Sequence, residues 1–66
     1  MIATVNGTVR ELPEGLTVGG LLELLGSRRL GIAVSRNERV VRSADYDGQT
    51  LCEGDRVEII TAVSGG

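Results

Sequence analysis

The sequence predicts a two-layer α+β fold, in which one main helix packs across a mixed sheet of four to five strands. Three features of the chain support this prediction. Asn6 and Gly7 lie between two short β-prone segments, as in a tight hairpin. Apolar residues from Val18 to Leu25 recur at helical spacing. The last long apolar segment, residues 56–63, has the alternation of a strand.

The first hairpin is predicted from the Asn-Gly pair. Residues 1–5 are apolar and partly β-branched, and residues 8–12 form the returning strand. Asn6 and Gly7 suit a type I′ turn, because that turn requires positive φ at both central positions. Pro13 then ends the second strand, since proline cannot donate a hydrogen bond to a ladder.

The helix is predicted to begin after Thr17 and to end at Gly26. Threonine is a favourable N-cap residue, and glycine accommodates the left-handed conformation that follows many helices. Gly19 and Gly20 lie in the first turn, where each costs roughly 0.5–1 kcal/mol relative to alanine, so we expect this end of the helix to fray. An alternative is that the two glycines let a partner approach closely.

The second half of the chain is predicted to contain another hairpin and a short helical turn. Ile32–Arg36 and Arg39–Val41 are the candidate strands, joined by a turn at residues 37–38. The short helical turn is expected around Asp45 and Tyr46, with the tyrosine ring packed against this loop and its hydroxyl in water. Because this tyrosine is the only aromatic residue, the core is expected to consist of Leu, Val, Ile and Ala.

Residues 56–63 are predicted to form the central strand of the sheet. Alternate residues from Val57 to Val63 make one apolar face, while Ile60 and Ala62 make the other face partly apolar. A strand that is apolar on both faces is usually central. The helix supplies the right-handed crossover that such a mixed sheet requires. We therefore expect the tail beyond this strand to leave the sheet and enter solvent.

The composition argues against a self-contained enzyme. The 66 residues suffice for one domain, and the net charge of −2 provides no basic surface for nucleic acid. The chain has no histidine, the commonest general base and metal ligand, and no lysine for phosphate binding or Schiff-base chemistry. Neither a signal peptide nor an apolar run of membrane-spanning length is present, so we expect a cytoplasmic protein that does not act at a membrane.

Two other kinds of site are considered and not favoured. Cys52 is the only cysteine, and burial in the core is preferred to a nucleophilic role because free cysteine is among the most buried residue types. The acidic residues of the second half depart from the spacing of a calcium-binding loop, so we expect no bound metal or cofactor. These residues are Asp45, Asp47, Glu53 and Asp55.

The C-terminal residues are the best candidate for a reactive group. Ser64, Gly65 and Gly66 follow the apolar strand, and a glycine backbone can thread a channel too narrow for side chains. A carboxylate acylates other groups only after activation, for which ATP-dependent adenylation provides a leaving group. We therefore interpret residues 1–66 as one domain with a flexible reactive tail at residues 64–66. The alternative is an accidental glycine tail, since termini are often disordered.

The order of elements and the Gly-Gly end together resemble the β-grasp arrangement of ubiquitin-like proteins. In more detail, the chain resembles the ThiS family of sulfur carriers in thiamine biosynthesis, over essentially its whole length. Each matching segment is short, but their order and spacing make the combination specific. The segments are Asn6-Gly7, Thr17-Val18, residues 21–25, residues 31–34 with Asn37, Val41-Arg42, residues 54–60 and Gly65-Gly66.

The resemblance implies that sulfur is loaded at Gly66. A ThiF-like adenylating enzyme, using ATP and magnesium, would activate the carboxylate, and a persulfide derived from a cysteine desulfurase would supply the sulfur of a thiocarboxylate. A ThiG-like thiazole synthase would take this sulfur into the thiazole ring of thiamine. Gly65 and Ser64 would thread into the active sites of these partners. Residues 19–20 and 62–64 depart from the family pattern.

Three other functions stay open. The small subunit of molybdopterin synthase has the same fold, but such subunits are usually longer and richer in aromatic residues than this chain of 66 residues with one tyrosine. A plain interaction module would give the terminal glycines no chemical role. A protein-tagging modifier would form amide conjugates with lysines of other proteins. The partner surface is predicted to include Ile60 and Ala62, because exposed apolar residues often mark interfaces.

Overall fold

A computed structural model describes residues 1–61. Within this range the chain forms five strands, one α-helix and one 3₁₀ turn. Residues 62 and 63, which are predicted to continue the last strand, lie outside the described residues. In chain order the elements are β1 (Ile2–Val5), β2 (Thr8–Glu11), α1 (Val18–Leu24), β3 (Ile32–Arg36), β4 (Arg39–Val41), the 3₁₀ turn (Ser43–Asp45) and β5 (Arg56–Thr61).

The strands form a mixed sheet in the order β2-β1-β5-β3-β4. β5 is parallel to β1, with Val57 opposite Val5, and antiparallel to β3, with Ile59 opposite Val34. The two outer pairs, β1–β2 and β3–β4, are antiparallel hairpins. The prediction of a mixed sheet with the last strand at its centre is therefore confirmed.

Both predicted caps of α1 are present. The Thr17 hydroxyl oxygen accepts a hydrogen bond from the Gly20 N–H at 3.0 Å. At the other end, Gly26 has φ of +70°, and the Ser27 N–H donates to the Leu22 carbonyl at 2.8 Å. This is the Schellman arrangement, in which a left-handed residue lets the chain turn back onto the last carbonyls of the helix.

The start of α1 is predicted to fray, but in the structure each N–H group there has a hydrogen-bond acceptor, which favours an ordered helix start. The Val18 N–H donates to the Gln49 carbonyl and the Gly19 N–H to the Tyr46 carbonyl, both at 2.9 Å. A Cβ at position 19 would meet the Asp47 carboxylate and the Arg29 guanidinium, so these flexible side chains would have to shift. These two side chains form a bidentate ion pair, at 2.8 and 2.9 Å, that crosses the helix at this point.

The core lies between α1 and the face of the sheet that it covers. Tyr46 is only 2% exposed and belongs to this core, so the prediction of a purely aliphatic core is wrong. Tyr46 follows the 3₁₀ turn, and its carbonyl accepts a hydrogen bond from the Gly19 N–H at the start of α1. Since the whole residue is buried, the prediction that its hydroxyl lies in water is wrong as well. The buried residues are Ala3, Val5, Leu12, Val18, Leu21, Leu22, Val34, Val41, Tyr46, Leu51 and Val57.

Candidate functional site

The predicted reactive residues Ser64, Gly65 and Gly66 lie outside the described residues, as does Ala62. What the structure does show is the strand that leads to them. β5 is the central strand and ends, within the described range, at Thr61. The candidate site is therefore built from the end of β5 and the surface around it.

The face of the sheet away from α1, here called the outer face, carries exposed apolar residues near the end of β5. Ile60 is 64% exposed, and its register partner on β3 is Ala33, which is also exposed. Val40 on β4 is 80% exposed and lies opposite Ser35, one step along the same face. We call Ile60, Ala33 and Val40 the Ile60 patch. The exposure of Ile60 agrees with its predicted role, which stays a proposal.

A second apolar area lies on the other side of the outer face. Val9 on β2 is 67% exposed and lies opposite Thr4 on β1. Arg56 and Glu58 of β5 separate it from the Ile60 patch, because they point to the same face between the two areas. The two areas are thus distinct surfaces, and Val9 provides a matched comparison for Ile60.

A buried carboxylate fixes the beginning of β5. Asp55 accepts hydrogen bonds from the Arg36 Nε at 2.8 Å, the Asn37 amide at 3.0 Å and the Cys52 N–H at 2.7 Å. Burial raises the pKa of Asp55, but these hydrogen bonds and the Arg36 charge outweigh it and hold the pKa below its ordinary value of 3.8. The carboxylate therefore ties the β3–β4 turn to the first residue of β5.

The prediction that Cys52 is buried is wrong, because its side chain is exposed. Leu51 fills the core position in this part of the chain, and the tight turn before β5 carries the next residue outward. The Cys52 sulfur accepts a weak hydrogen bond from the Arg36 guanidinium at 3.5 Å. The contact does not indicate a reactive thiol.

Residues 1–61 contain no group of His, Cys, Asp and Glu side chains arranged to hold a metal ion. A shallow cleft of about 380 Å³ opens beside the β3–β4 turn, but Ile60, the predicted functional residue within the described range, does not line it. The cleft is lined by Arg36, Asn37, Arg39, Val40, Val41 and Gln49. Among the described helices, none is long and apolar enough to cross a membrane.

Two asparagines near β5 were missed as functional candidates by sequence reasoning. Asn6 and Asn37 both occupy turn positions with positive φ, of 50° and 52°. Their side-chain amides also bond to the backbone of β5, at Ile59 and at Arg56. Positive φ can be predicted for asparagine in a hairpin turn, but a contact across more than fifty residues of chain has no local signal.

These features define a protein with the β-grasp fold. The described surface offers an apolar patch beside the end of the central strand. Comparisons with known proteins establish the family to which this chain belongs.

The family model named ThiS family matches residues 3–66. The chain is 36% identical over 62 residues to the sulfur carrier protein ThiS of Thermus thermophilus, covering 94% of this chain and 95% of that protein. It is 33% identical over 66 residues to a thiazole synthase of Paramagnetospirillum magneticum and 36% identical over 62 residues to one of Magnetococcus marinus. The matches cover 100% and 94% of this chain but only 20% and 19% of those two enzymes, about a fifth of each.

Solved structures agree with the sequence comparison. The crystal structure of the thiamine biosynthesis protein ThiS from Geobacter metallireducens superposes with a TM-score of 0.86, at 32% identity and full coverage of both chains. A solution structure of a thiamine biosynthesis protein from the same organism gives 0.81, at 32% identity, and covers 100% of this chain and 88% of that one. The chain therefore belongs to the ThiS family of sulfur carrier proteins of thiamine biosynthesis.

The Asp55 contacts predict how stability depends on pH. A carboxylate whose pKa is lowered by folding stabilises the fold fully above its unfolded pKa, and this contribution is lost as the pH falls through the lower, folded value. Asp55→Asn should cost about 2 kcal/mol at neutral pH, because it removes charge-assisted hydrogen bonds. The difference between the two proteins should shrink below pH 3.8. Urea unfolding at a series of pH values measures the difference in unfolding free energy between the wild-type and Asp55→Asn proteins. A difference that does not change with pH would contradict the stabilising role of the Asp55 carboxylate.

Proposed function

We propose that this chain carries sulfur as a thiocarboxylate on Gly66 and delivers it to the thiazole ring of thiamine. The Gly66 carboxylate attacks the α-phosphate of ATP and releases pyrophosphate, which gives an acyl adenylate. Sulfur from a persulfide, itself derived from a cysteine desulfurase, displaces AMP. Cleavage of the remaining sulfur–sulfur bond by a thiol leaves the thiocarboxylate.

The single observation that carries this proposal is the extent of the family match. The ThiS model matches residues 3–66, so the match includes the Gly-Gly end. An interaction module that used only its folded surface would not need the tail. The chemistry also fits the sequence, since glycine at positions 65 and 66 lets the backbone enter a narrow active site.

Catalytic groups for these steps come from partner enzymes in this proposal. The chain has neither histidine nor lysine, so it lacks the side chains that most often transfer protons or bind phosphate. A ThiF-like adenylating enzyme therefore provides the ATP and magnesium site. The tail, with Ser64 and Gly65 as its threading segment, brings the Gly66 carboxylate into that site.

Thiazole synthase is the proposed recipient of the sulfur. Two thiazole synthases, from Paramagnetospirillum magneticum and Magnetococcus marinus, each match this chain over about a fifth of their length. A carrier-like region within the same polypeptide as the enzyme supports a functional partnership, because linking two modules raises their effective concentration. We extend this partnership to a separate ThiG-like enzyme for the present chain.

The Ile60 patch is the proposed partner surface. Ile60 precedes the last described residue of β5, so a partner bound there lies next to the point from which the tail continues. Apolar side chains at exposures of 64% and 80% gain from being covered. Ala62 is proposed to extend the same surface.

The first experiment tests the chemistry at Gly66. The chain is incubated with a ThiF-like enzyme, ATP, a cysteine desulfurase and cysteine, and its C-terminal peptide is analysed by mass spectrometry. Replacement of oxygen by sulfur should appear on the peptide that contains Gly66, and only when ATP is present. The peptide must be isolated because oxidation of Met1 or Cys52 adds nearly the same mass.

A variant without Gly66 is the control, and it should stay folded and gain no sulfur. An unmodified terminus in the wild-type chain, after trials with several cognate enzymes, contradicts the proposed function. Amide conjugates with lysines of other proteins would instead indicate a tagging modifier.

The second experiment tests the partner surface with two matched substitutions. Ile60→Glu should raise the KM of the adenylating enzyme for this chain about tenfold or more, because it places a charge in an apolar interface. Val9→Glu introduces the same charge on the same face, at a residue of similar exposure, and should leave KM within about twofold. Circular dichroism checks that both proteins fold. Equal effects of the two substitutions on KM would contradict the assignment.

A further inference from the structure

The side chain of Asn6 takes the place of a missing piece of β1. β1 ends at Val5, and the chain turns away through Asn6 and Gly7, whose φ angles are 50° and 80°. The neighbouring strand β5 continues to Thr61. Without a substitute, the backbone of β5 beyond Val57 would lack a neighbour on the β1 side.

The last main-chain step of this parallel ladder is the hydrogen bond from the Asn6 N–H to the Val57 carbonyl, at 2.9 Å. A further step would pair both the N–H and the carbonyl of Ile59 with main-chain groups of β1. The Asn6 amide supplies both groups instead. Its oxygen accepts from the Ile59 N–H at 2.7 Å, and its nitrogen donates to the Ile59 carbonyl at 3.2 Å.

Asn37 makes a similar contact at the other end of the strand. It occupies the β3–β4 turn with φ of 52°, its N–H donates to the Arg56 carbonyl at 2.7 Å, and its side-chain oxygen accepts from the Arg56 N–H at 2.8 Å. Asn37 therefore binds Arg56, the first residue of β5, and Asn6 binds Ile59, the residue before Ile60. The chain offers an internal control, because only Asn6 acts at the end that leads to the tail.

We propose that Asn6 is a positioning residue for sulfur loading: its side chain keeps β5 ordered through Ile59 and so presents the Ile60 patch to the adenylating enzyme. The proposal rests on the function proposed above. It follows from the position of the contact, since Ile59 is adjacent to Ile60 and two residues before Thr61. Fraying of this segment would lower the fraction of the chain that is ready to bind, which weakens apparent affinity by the same factor.

The two hydrogen bonds to Ile59 require asparagine at position 6, whereas the turn alone accepts other residues. A type I′ turn accepts Asn, Asp or Gly at its first central position. Aspartate could accept from the Ile59 N–H, but its second oxygen would face the Ile59 carbonyl where the Asn6 amide nitrogen now donates. Glycine would keep the turn and remove both bonds. Asn6→Gly and Asn6→Asp therefore test the side chain without removing a turn-compatible residue.

Hydrogen exchange measured by NMR tests the first half of the proposal. In Asn6→Gly, exchange of the Ile59 amide should become about five- to tenfold faster than the global change in stability explains, the factor expected from one lost hydrogen bond. Asn37→Gly should accelerate hydrogen exchange of the Arg56 amide, while the Ile59 amide should exchange at the rate set by global stability. If the Ile59 amide exchanges at the wild-type rate in both Asn6 variants, the proposal is overturned.

Steady-state kinetics with the adenylating enzyme tests the second half. Both Asn6 variants should raise the KM for the chain about two- to fivefold with little change in kcat, because fewer molecules are ready to bind while bound ones react normally. Asn37→Gly should lower thermal stability without raising KM. An equal rise of KM in Asn37→Gly, or an unchanged KM in Asn6→Gly, would show a purely structural role and overturn the proposal.

The two arms separate this inference from the proposed function. If the wild-type chain is not activated at all, the function proposed above fails, and with it the role of Asn6 in sulfur loading. The exchange rate of Ile59 still decides whether Asn6 orders the end of β5. If the wild-type chain is activated and the Asn6 variants match it in both measurements, only the role of Asn6 fails.

Discussion

The described structure depends on the pairing of β5 with strands on both sides. β1–β2 and β3–β4 are separate hairpins, and an isolated hairpin is at best marginally stable in water. β5 pairs with β1 and with β3, which joins the two hairpins into one sheet broad enough to cover α1. Val57 lies completely buried at the centre of this arrangement. The hydrogen bonds that hold both ends of β5 therefore support the whole fold.

This dependence links the stability of the protein to its work as a carrier. The central strand of the sheet is also the strand that precedes the Gly-Gly end of the chain. A partner that binds beside Ile60 meets a segment whose backbone is paired through Ile59. The proposed reactive end follows the central strand rather than an edge strand, so the chain enters residues 62–66 from a well-defined position at Thr61. The proposed chemistry can then be left to partner enzymes.

The features that depend on local spacing could be predicted from the sequence, and those that depend on distant contacts could not. The Asn-Gly turn, the caps at Thr17 and Gly26 and the central last strand follow from short patterns. The burial of Tyr46 could not be predicted, because it depends on how the loop of residues 42–49 packs against the start of α1. The exposure of Cys52 could not be predicted from the general preference of cysteine for burial, because it depends on the turn before β5. The predicted reactive tail, residues 64–66, lies outside the described residues and stays a prediction.

Transfer of an isotope label measures whether sulfur on Gly66 goes to the thiazole of thiamine, as we propose. The chain is loaded with ³⁴S, separated from the loading enzymes and given to a ThiG-like thiazole synthase with its other substrates. The account predicts that the label leaves the chain, that Gly66 returns to a carboxylate and that one labelled sulfur appears in each thiazole. Label that stays on the chain while thiazole forms from another sulfur source would contradict it.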